Sequence, residues 1–192
     1  MFDHMHNAGE FMVGYRYFWT RANGDTLNGT RSVSDHEIME FGCGGHDCHM
    51  KQSEMTMQMH MLDIMYAPTD WLTLMVMPQW MTMDMTMAPL EHGMGGGGGH
   101  MEGHGHGPDG LGDTIFGAMI RLSKGPGVDL HTSLMFTAPT GSVDEKVMCE
   151  HGGGPEPCFT HYMMQLGSGT WDFMPSLTYR GNAGPWTWGA QI

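Results

Sequence analysis

Positive charge is scarce in this sequence. Of 192 residues only 8 are Lys or Arg, against 21 Asp or Glu, and the formal net charge is −13. Nucleic-acid binding depends on clustered cations that neutralise phosphates. The composition therefore predicts that nucleic acid is not a partner.

Long apolar runs are also missing. No stretch of about 18 uncharged apolar residues is present, so a transmembrane helix is not expected. Residues 1–6 lack a basic region followed by an apolar one, so we expect either a removed secretory signal or a chain that begins inside a larger gene. A membrane location stays open, because the strands of a barrel give a weaker signal, alternating segments of about 10 residues.

Motifs of catalysis are absent as well. The sequence has no nucleophile elbow, paired-carboxylate signature or dinucleotide fingerprint. The run Gly95–Gly99 lacks the Lys-Ser/Thr of a phosphate loop, and Asp144 and Glu145 are interpreted as loop residues. We therefore expect a protein that is not an enzyme and that has no organic cofactor.

What the sequence does contain is a series of strand-like segments. Each is bounded by Gly, Pro, Asn or Asp, and none has a sustained helical period. Residues 36–41 are compatible with one short helical turn. The pattern predicts an all-β chain with seven strands, Gly9–Trp19, Met55–Tyr66, Trp71–Met87, Asp113–Leu122, Gly127–Thr137, Gly169–Arg180 and Pro185–Ile192.

The connections between these segments alternate in length. Long ones span residues 20–54, 88–112 and 138–168, whereas 67–70, 123–126 and 181–184 are short. In an up-and-down meander the long loops then share one side, as in outer-membrane barrels. We predict one domain over residues 1–192, an antiparallel up-and-down transmembrane β-barrel of the bacterial outer membrane. Seven strands would leave an open edge in lipid, so we expect a partial barrel, incomplete at the C-terminus.

Period-two alternation gives each predicted strand an apolar face. Phe11, Val13 and Tyr15 share one parity in the first segment, and Trp171, Phe173 and Leu177 share one in the sixth. Aromatic residues recur near strand ends, as in the girdles of membrane barrels. The alternative is a soluble β-sandwich that buries the same face.

Methionine dominates two segments, 55–61 and 81–87, where it alternates with polar residues. The phase of each strand assigns Leu74, Val76 and Ile64 to lipid, and methionine to the lumen. The predicted pairing places Tyr66 near Leu72 and Ile64 near Leu74, and a β-bulge would invert the faces. The lumen set is Met55, Met57, Met59, Met61, Met75, Met77, Met81, Met83, Met85 and Met87, with Met12, Met119, Met135 and Met174 facing the same way.

A lumen lined by thioethers permits three interpretations. Thioether sulfur is a soft ligand that suits Cu(I), and imidazole suits copper in either oxidation state. Methionine is also flexible and apolar, so it can line a path for small apolar molecules. The third interpretation is that the methionines fill a narrow barrel.

Histidine-rich loops are predicted on one rim, above the methionine strands. The Gly-rich segment 88–112 contributes four histidines, and segment 36–50 contributes two that we include as metal ligands. Such tracts often bind metal, although no fixed zinc-site spacing appears and a solvated loop is the alternative. For the pairs Cys43/Cys48 and Cys149/Cys158, disulfides are favoured over metal binding. The predicted loop ligands are His92, His100, His104, His106, His46 and His49, and the N-terminal His4, Met5 and His6 are expected at the opposite, periplasmic end.

Several segments resemble a family of proteobacterial outer-membrane proteins loosely described as transporters, related to the meta-pathway of phenol degradation proteins. The resemblance implies a larger β-barrel whose later strands are absent here. It implies neither an established substrate nor agreed functional residues. The resembling pieces, which cover most of the chain in order, are His4-Met5-His6 with residues 9–12, then 55–70 with 72–75, Leu111-Gly112-Asp113, Pro139-Thr140-Gly141-Ser142, residues 165–172 and 188–191.

The first functional hypothesis is therefore a porin-like, methionine-rich barrel that binds or passes a soft transition metal, with copper as the expected ion. The alternatives are a passive channel for small apolar or aromatic compounds and a structural or surface-binding barrel. The expected partners are the lipid bilayer and a metal ion or small molecule, and an oligomer is possible.

Overall fold

The computed structural model describes residues 4–42, 50–90, 107–151, 154–160 and 162–192. Most of them lie in antiparallel β-strands, and the main sheet curls into a half-barrel with almost no helix. The predicted all-β class is confirmed. Within the described ranges, no helix has the length and apolar character needed to cross a membrane.

The elements are numbered in chain order. The helical pieces are α1 (Asp35–Glu37), a π-helical turn (Ile38–Gly42) and a 3-10 turn (Tyr162–Met164). The strands are β1 (Phe11–Asn23), β2 (Leu27–Asn28), β3 (Arg31–Ser32), β4 (Met50–Thr69), β5 (Leu72–Met77), β6 (Gln79–Pro89), β7 (Asp109–Leu111), β8 (Thr114–Gly125), β9 (Val128–Ala138), β10 (Lys146–His151), β11 (Gly154–Phe159), β12 (Asp172–Ala183) and β13 (Trp186–Gln191).

The main sheet is a meander of consecutive strands. β4 pairs with β1 on one side and with β5 and β6 on the other. β8 pairs with β5 and β9, β12 pairs with β9 and β13, and β7 pairs with β6. Pro78, which lacks an N–H, separates β5 from β6, and Gly112 and Asp113 separate β7 from β8. The seven predicted strand segments are therefore present, in the predicted order.

Tight turns join the strands at one end of the sheet, which we call the short-turn end. They lie at residues 70–71, 126–127 and 184–185. Gly127 and Gly184 have φ angles of 78° and 59°, a region that favours glycine. Because consecutive strands are antiparallel, the connections predicted to be long leave from the opposite end.

The register between β4 and β5 differs from the predicted one by two residues. Tyr66 lies opposite Leu74, and Ile64 lies opposite Val76. The prediction was wrong because the turn contains only Asp70 and Trp71, with an irregularity between Tyr66 and Thr69. A shift of two residues preserves side-chain parity, so every side chain keeps its predicted face.

Two small hairpins lie within segments that the sequence analysis treated as loops. β2 and β3 pair in the first, and β10 and β11 pair in the other. β2 and β3 have two residues each and are too short to show an alternation of apolar and polar residues. β11 contains Pro155 and Pro157, and proline is unfavourable within a strand. The predicted helical turn is confirmed, and it begins with a capping box between Ser34 and Glu37.

The two faces of the main sheet differ in side-chain type. The outer face exposes aromatic and aliphatic side chains, including a row of phenylalanines across three strands. Ring centroids are 6.0 Å apart for Phe116 and Phe136, and 4.9 Å apart for Phe136 and Phe173. The exposed outer set includes Phe11, Val13, Tyr15, Tyr17, Trp19, Leu74, Val76, Trp80, Leu134, Leu177 and Tyr179. The inner face is mostly methionine.

Candidate functional site

Three pairs of methionines lie directly opposite each other on β4 and β6. The pairs are Met55 with Met85, Met57 with Met83, and Met59 with Met81. We call these six residues the methionine ladder. Directly opposed residues of an antiparallel pair have Cβ atoms about 4.5–5.5 Å apart, so the two thioethers of a pair can reach one common point.

The phase of the strands explains why the ladder faces inward. Met81 and Met83 are buried, and the other four ladder residues are half-buried. The irregularity in β4 lies between Gln52 and Glu54, before the first rung, so it does not invert the face. Met87 continues the same parity toward the end of β6 and is half-buried. The burial of Met81 and Met83 agrees with the inward direction predicted for them.

A second group of methionines lies nearer the short-turn end, and we call it the short-turn cluster. Met65, Met77, Met119 and Met135 have exposed fractions of 1% or less. Met5, Met12 and Met174 pack against the cluster from its margin. The buried members come from four strands, β4, β5, β8 and β9, and Met12 and Met174 add side chains from β1 and β12. The buried members of the cluster are Met61, Met65, Met75, Met77, Met119 and Met135.

The segment after β11 covers the ladder. Met164 and Leu166 are buried and pack with Met81 and Met83. Gln165 lies between them, and its amide donates to the carbonyls of Glu145 and Thr160 at 3.3 and 3.2 Å. These bonds hold the segment so that its apolar side chains face the ladder.

One buried ion pair lies on this inner face. Arg16 Nε is 2.7 Å from Asp63 Oδ2, and the Asp63 side chain is 1% exposed. The second carboxylate oxygen, Oδ1, is buried without a hydrogen-bond partner. The methionine interior therefore contains an anionic oxygen, and Arg16 is 31% exposed on the other side of the pair.

Polar residues close the inner face at the short-turn end. Arg121 lies opposite His131, which in turn lies opposite Thr178. Arg121 Nε is 3.6 Å from Asp129 Oδ1, and the guanidinium also donates to the carbonyl of Asp70. The methionine interior thus ends in a charged layer. An open depression of about 440 Å³ lies beside Asp70 and Arg121.

The N-terminal His4-Met5-His6 segment is held at this same end, as predicted. The backbone N–H of His6 is 3.4 Å from Thr73 Oγ1, and that of Ala8 donates to Asp70 Oδ1 at 2.8 Å. The rings of His4 and His6 meet edge to face with centroids 5.0 Å apart. Two imidazoles therefore lie beside the short-turn cluster.

Glu10 orients this segment. Its carboxylate accepts from the backbone N–H and the side-chain amide of Asn7 at 2.8 and 3.0 Å. These hydrogen bonds, with a smaller contribution from His6, hold the pKa of Glu10 below its usual range. The carboxylate lies 3.5 Å from Nδ1 of His6.

A buried carboxylate joins three turns at the end of the sheet opposite the short-turn end. Asp113 Oδ1 accepts from the backbone N–H of Gly141 at 2.9 Å. Its Oδ2 accepts from the N–H and the hydroxyl of Ser168 at 2.7 and 2.9 Å. We call this arrangement the Asp113 clasp. The sequence analysis did not assign it a role, although its residues lie in three of the motifs that carried the family resemblance.

The predicted loop ligands lie outside the described residues. They are His46 and His49 of one loop, and His92, His100, His104 and His106 of the other. Cys43 and Cys48 also lie outside, whereas Cys158 is in a disulfide bond. Among the described residues, no group of three or more His, Cys, Asp or Glu is placed to hold a metal ion. The described candidates for a soft-metal site are therefore thioethers, with the His4–His6 pair beside them.

Comparison with protein-family models, with curated proteins and with solved structures found no match to this chain.

Proposed function

We propose that this chain forms part of an outer-membrane β-barrel whose methionine-lined interior binds and passes Cu(I). The observation that carries the proposal is the methionine ladder, three directly opposed thioether pairs on the inner face. Each rung offers two soft donors, and the rungs follow one another along the strand direction. A cuprous ion can then exchange between neighbouring pairs of similar affinity.

Charge supports cation binding in this interior. The chain has a formal net charge of −13, which favours the approach of cations. Asp63 adds a buried carboxylate oxygen within the short-turn cluster, between Met61 and Met65 on β4. The fully buried methionines of that cluster favour ligand exchange along side chains over flow through an open bore.

The outer face supports the membrane part of the proposal. Large contiguous apolar patches are rare on the surface of soluble monomers. Outward aromatic and aliphatic side chains recur on all seven strand segments, and polar residues of the same parity, such as Gln58 and Asp84, lie farther from the short-turn end. This order matches an apolar band bounded by aromatic residues.

Copper binding is tested by competition titration of the detergent-solubilised chain with Cu(I) and a chromophoric chelator. We expect Met57→Leu/Met59→Leu/Met81→Leu/Met83→Leu to lower Cu(I) affinity at least about tenfold, about 1.4 kcal/mol. The control Met39→Leu/Met163→Leu makes the same chemical change away from the ladder and leaves affinity unchanged. Equal affinity in the wild type and the ladder variant would overturn the proposed Cu(I) role of the ladder.

The membrane location is tested with Leu74→Arg on the outer face. In a bilayer this change destabilises the protein by about 2–4 kcal/mol, because the cation faces hydrocarbon. Val143→Arg, at an exposed position outside the strands, changes stability by less than about 0.5 kcal/mol. Urea unfolding from liposomes measures both variants. A folded wild-type protein in buffer without detergent, or equal effects of the two changes, would contradict the bilayer assignment.

A further inference from the structure

The His4-Met5-His6 segment has features that a flexible tail would not show. The His6 side chain is 13% exposed, and its Nε2 is buried without a hydrogen-bond partner. Hydrogen bonds to Thr73 and Asp70 fix the backbone on both sides of it. A buried ring nitrogen without a partner costs stability unless another ligand occupies it.

The surroundings of His6 resemble those of a metal-binding imidazole. Metal-ligating histidines commonly direct their second ring nitrogen to a carboxylate, which fixes the tautomer and raises the basicity of the ligating nitrogen. Glu10 stands in that position, 3.5 Å from Nδ1. With the proton on Nδ1, the lone pair of Nε2 is available to a metal.

Two further potential ligands belong to the same N-terminal segment. His4 presents a second imidazole, with ring centroids 5.0 Å apart, a separation at which both rings can bind one ion. Met5, between them in the chain, packs against the thioethers of the short-turn cluster. Asn7, next along the chain, lines the open depression at the short-turn end.

We propose that His4 and His6, together with the Met5 thioether, form a copper site at the short-turn end, where the ion enters or leaves the methionine interior. The site rests on the proposed function for its role as a terminus, but its donor set stands apart from the ladder. Imidazole binds copper in both oxidation states, whereas the ladder offers only thioethers. The site therefore adds nitrogen ligands that the ladder lacks.

The experiment loads the full chain in detergent with Cu(I) alone and measures stoichiometry, affinity and X-ray absorption. We expect His4→Gln/His6→Gln to remove one equivalent of Cu(I) and to reduce the imidazole scattering, while thioether scattering remains. Glu10→Gln keeps both rings and lowers the affinity of this site about tenfold or more. Met5→Leu removes the sulfur contribution to the same site.

The matched control is His36→Gln. His36 also faces a glutamate four residues later, with Nδ1 3.7 Å from Glu40, but its side chain is 82% exposed. We expect the His36→Gln variant to retain full Cu(I) stoichiometry.

The outcomes separate this site from the ladder. Cu(I) stoichiometry and imidazole scattering that both stay unchanged in the His4→Gln/His6→Gln variant, or wild-type copper bound only by sulfur, overturn the histidine site and leave the ladder proposal standing. Loss of binding in the histidine variant together with unchanged binding in the ladder variant supports the histidine site and overturns the ladder. A wild-type chain that binds no Cu(I) overturns both.

Discussion

The Asp113 clasp and the methionine ladder lie near each other, yet they are built on opposite principles. A Cβ added at Gly112, beside the clasp, would lie 2.8 Å from the Sδ of Met81 in the ladder. In the clasp, a buried carboxylate receives three directional hydrogen bonds. In the ladder, buried side chains meet through contacts that have no required direction.

The difference shows which residues the fold explains. Each bond of the clasp fixes a turn, so the fold requires a carboxylate at that position. The ladder gives no such reason for sulfur, because branched apolar side chains fit a strand at least as well as methionine. Packing alone therefore does not explain why methionine recurs at the ladder positions. This recurrence of thioethers is the basis of the copper proposal.

Asp113→Ala attacks the clasp directly and has the largest expected effect. It leaves two part-buried backbone N–H groups and a hydroxyl without their acceptor, so we expect the free energy of unfolding to fall by about 3–5 kcal/mol. Urea titration measures the change. Asp144→Ala is the matched control, because Asp144 is exposed and bonds Ser142 Oγ at 2.7 Å. Similar losses in both variants would refute the clasp.

Arg16→Met tests whether the buried Asp63 carboxylate on the inner face needs Arg16 as its partner. The change leaves the buried Asp63 carboxylate uncompensated, and we expect a loss of about 3 kcal/mol, the lower end for a broken buried pair because Arg16 is partly exposed. The double variant Arg16→Met/Asp63→Leu removes both charges and should recover most of the loss. If the double variant is as unstable as the single one, the ion pair is not the cause.

Met57→Leu/Met83→Leu tests whether the ladder, in contrast to the clasp, tolerates substitution without a large loss of stability. Leucine nearly preserves volume and apolarity, so we expect less than about 1.5 kcal/mol of destabilisation for each change, in contrast to the clasp. Thermal unfolding of the metal-free chain gives the value. A loss as large as that of Asp113→Ala would show that methionine is required for packing, which would remove the argument for a functional thioether.

We expect the smallest effect at Glu37, a partly exposed carboxylate that, like Asp113, accepts from a backbone N–H. The backbone N–H of Ser34, and then Arg31, lower the pKa of Glu37. Its contribution to the α1 turn is therefore present above the unfolded value of about 4.3, and is lost as the pH falls through the lower folded value. NMR shifts of the turn measure this loss.

Glu37→Gln should abolish that acid transition, whereas Arg31→Gln should remove only part of the pKa shift, because the Ser34 bond remains. A transition unchanged in Glu37→Gln would assign it to another group.

The strands and their faces could be predicted from the sequence, but the contacts between distant turns could not. Alternation predicted that Met81 and Met83 face inward, and their burial bears this out. The β4–β5 register was missed because a turn of two residues and an irregular pair look the same in sequence as a turn of four. The clasp was missed because Asp113 and Ser168 are 55 residues apart, and no local period links them.

The sequence by itself determined which side chains share a face, because successive residues of a strand point to opposite sides whatever the strand pairs with. Only the tertiary structure decided which of those side chains meet. It placed thioethers of β4 and β6 in direct opposition, brought three turns to Asp113, and set His4 and His6 beside the short-turn cluster. Register and turn geometry fix such meetings, and both depend on hydrogen bonds between residues far apart in the chain.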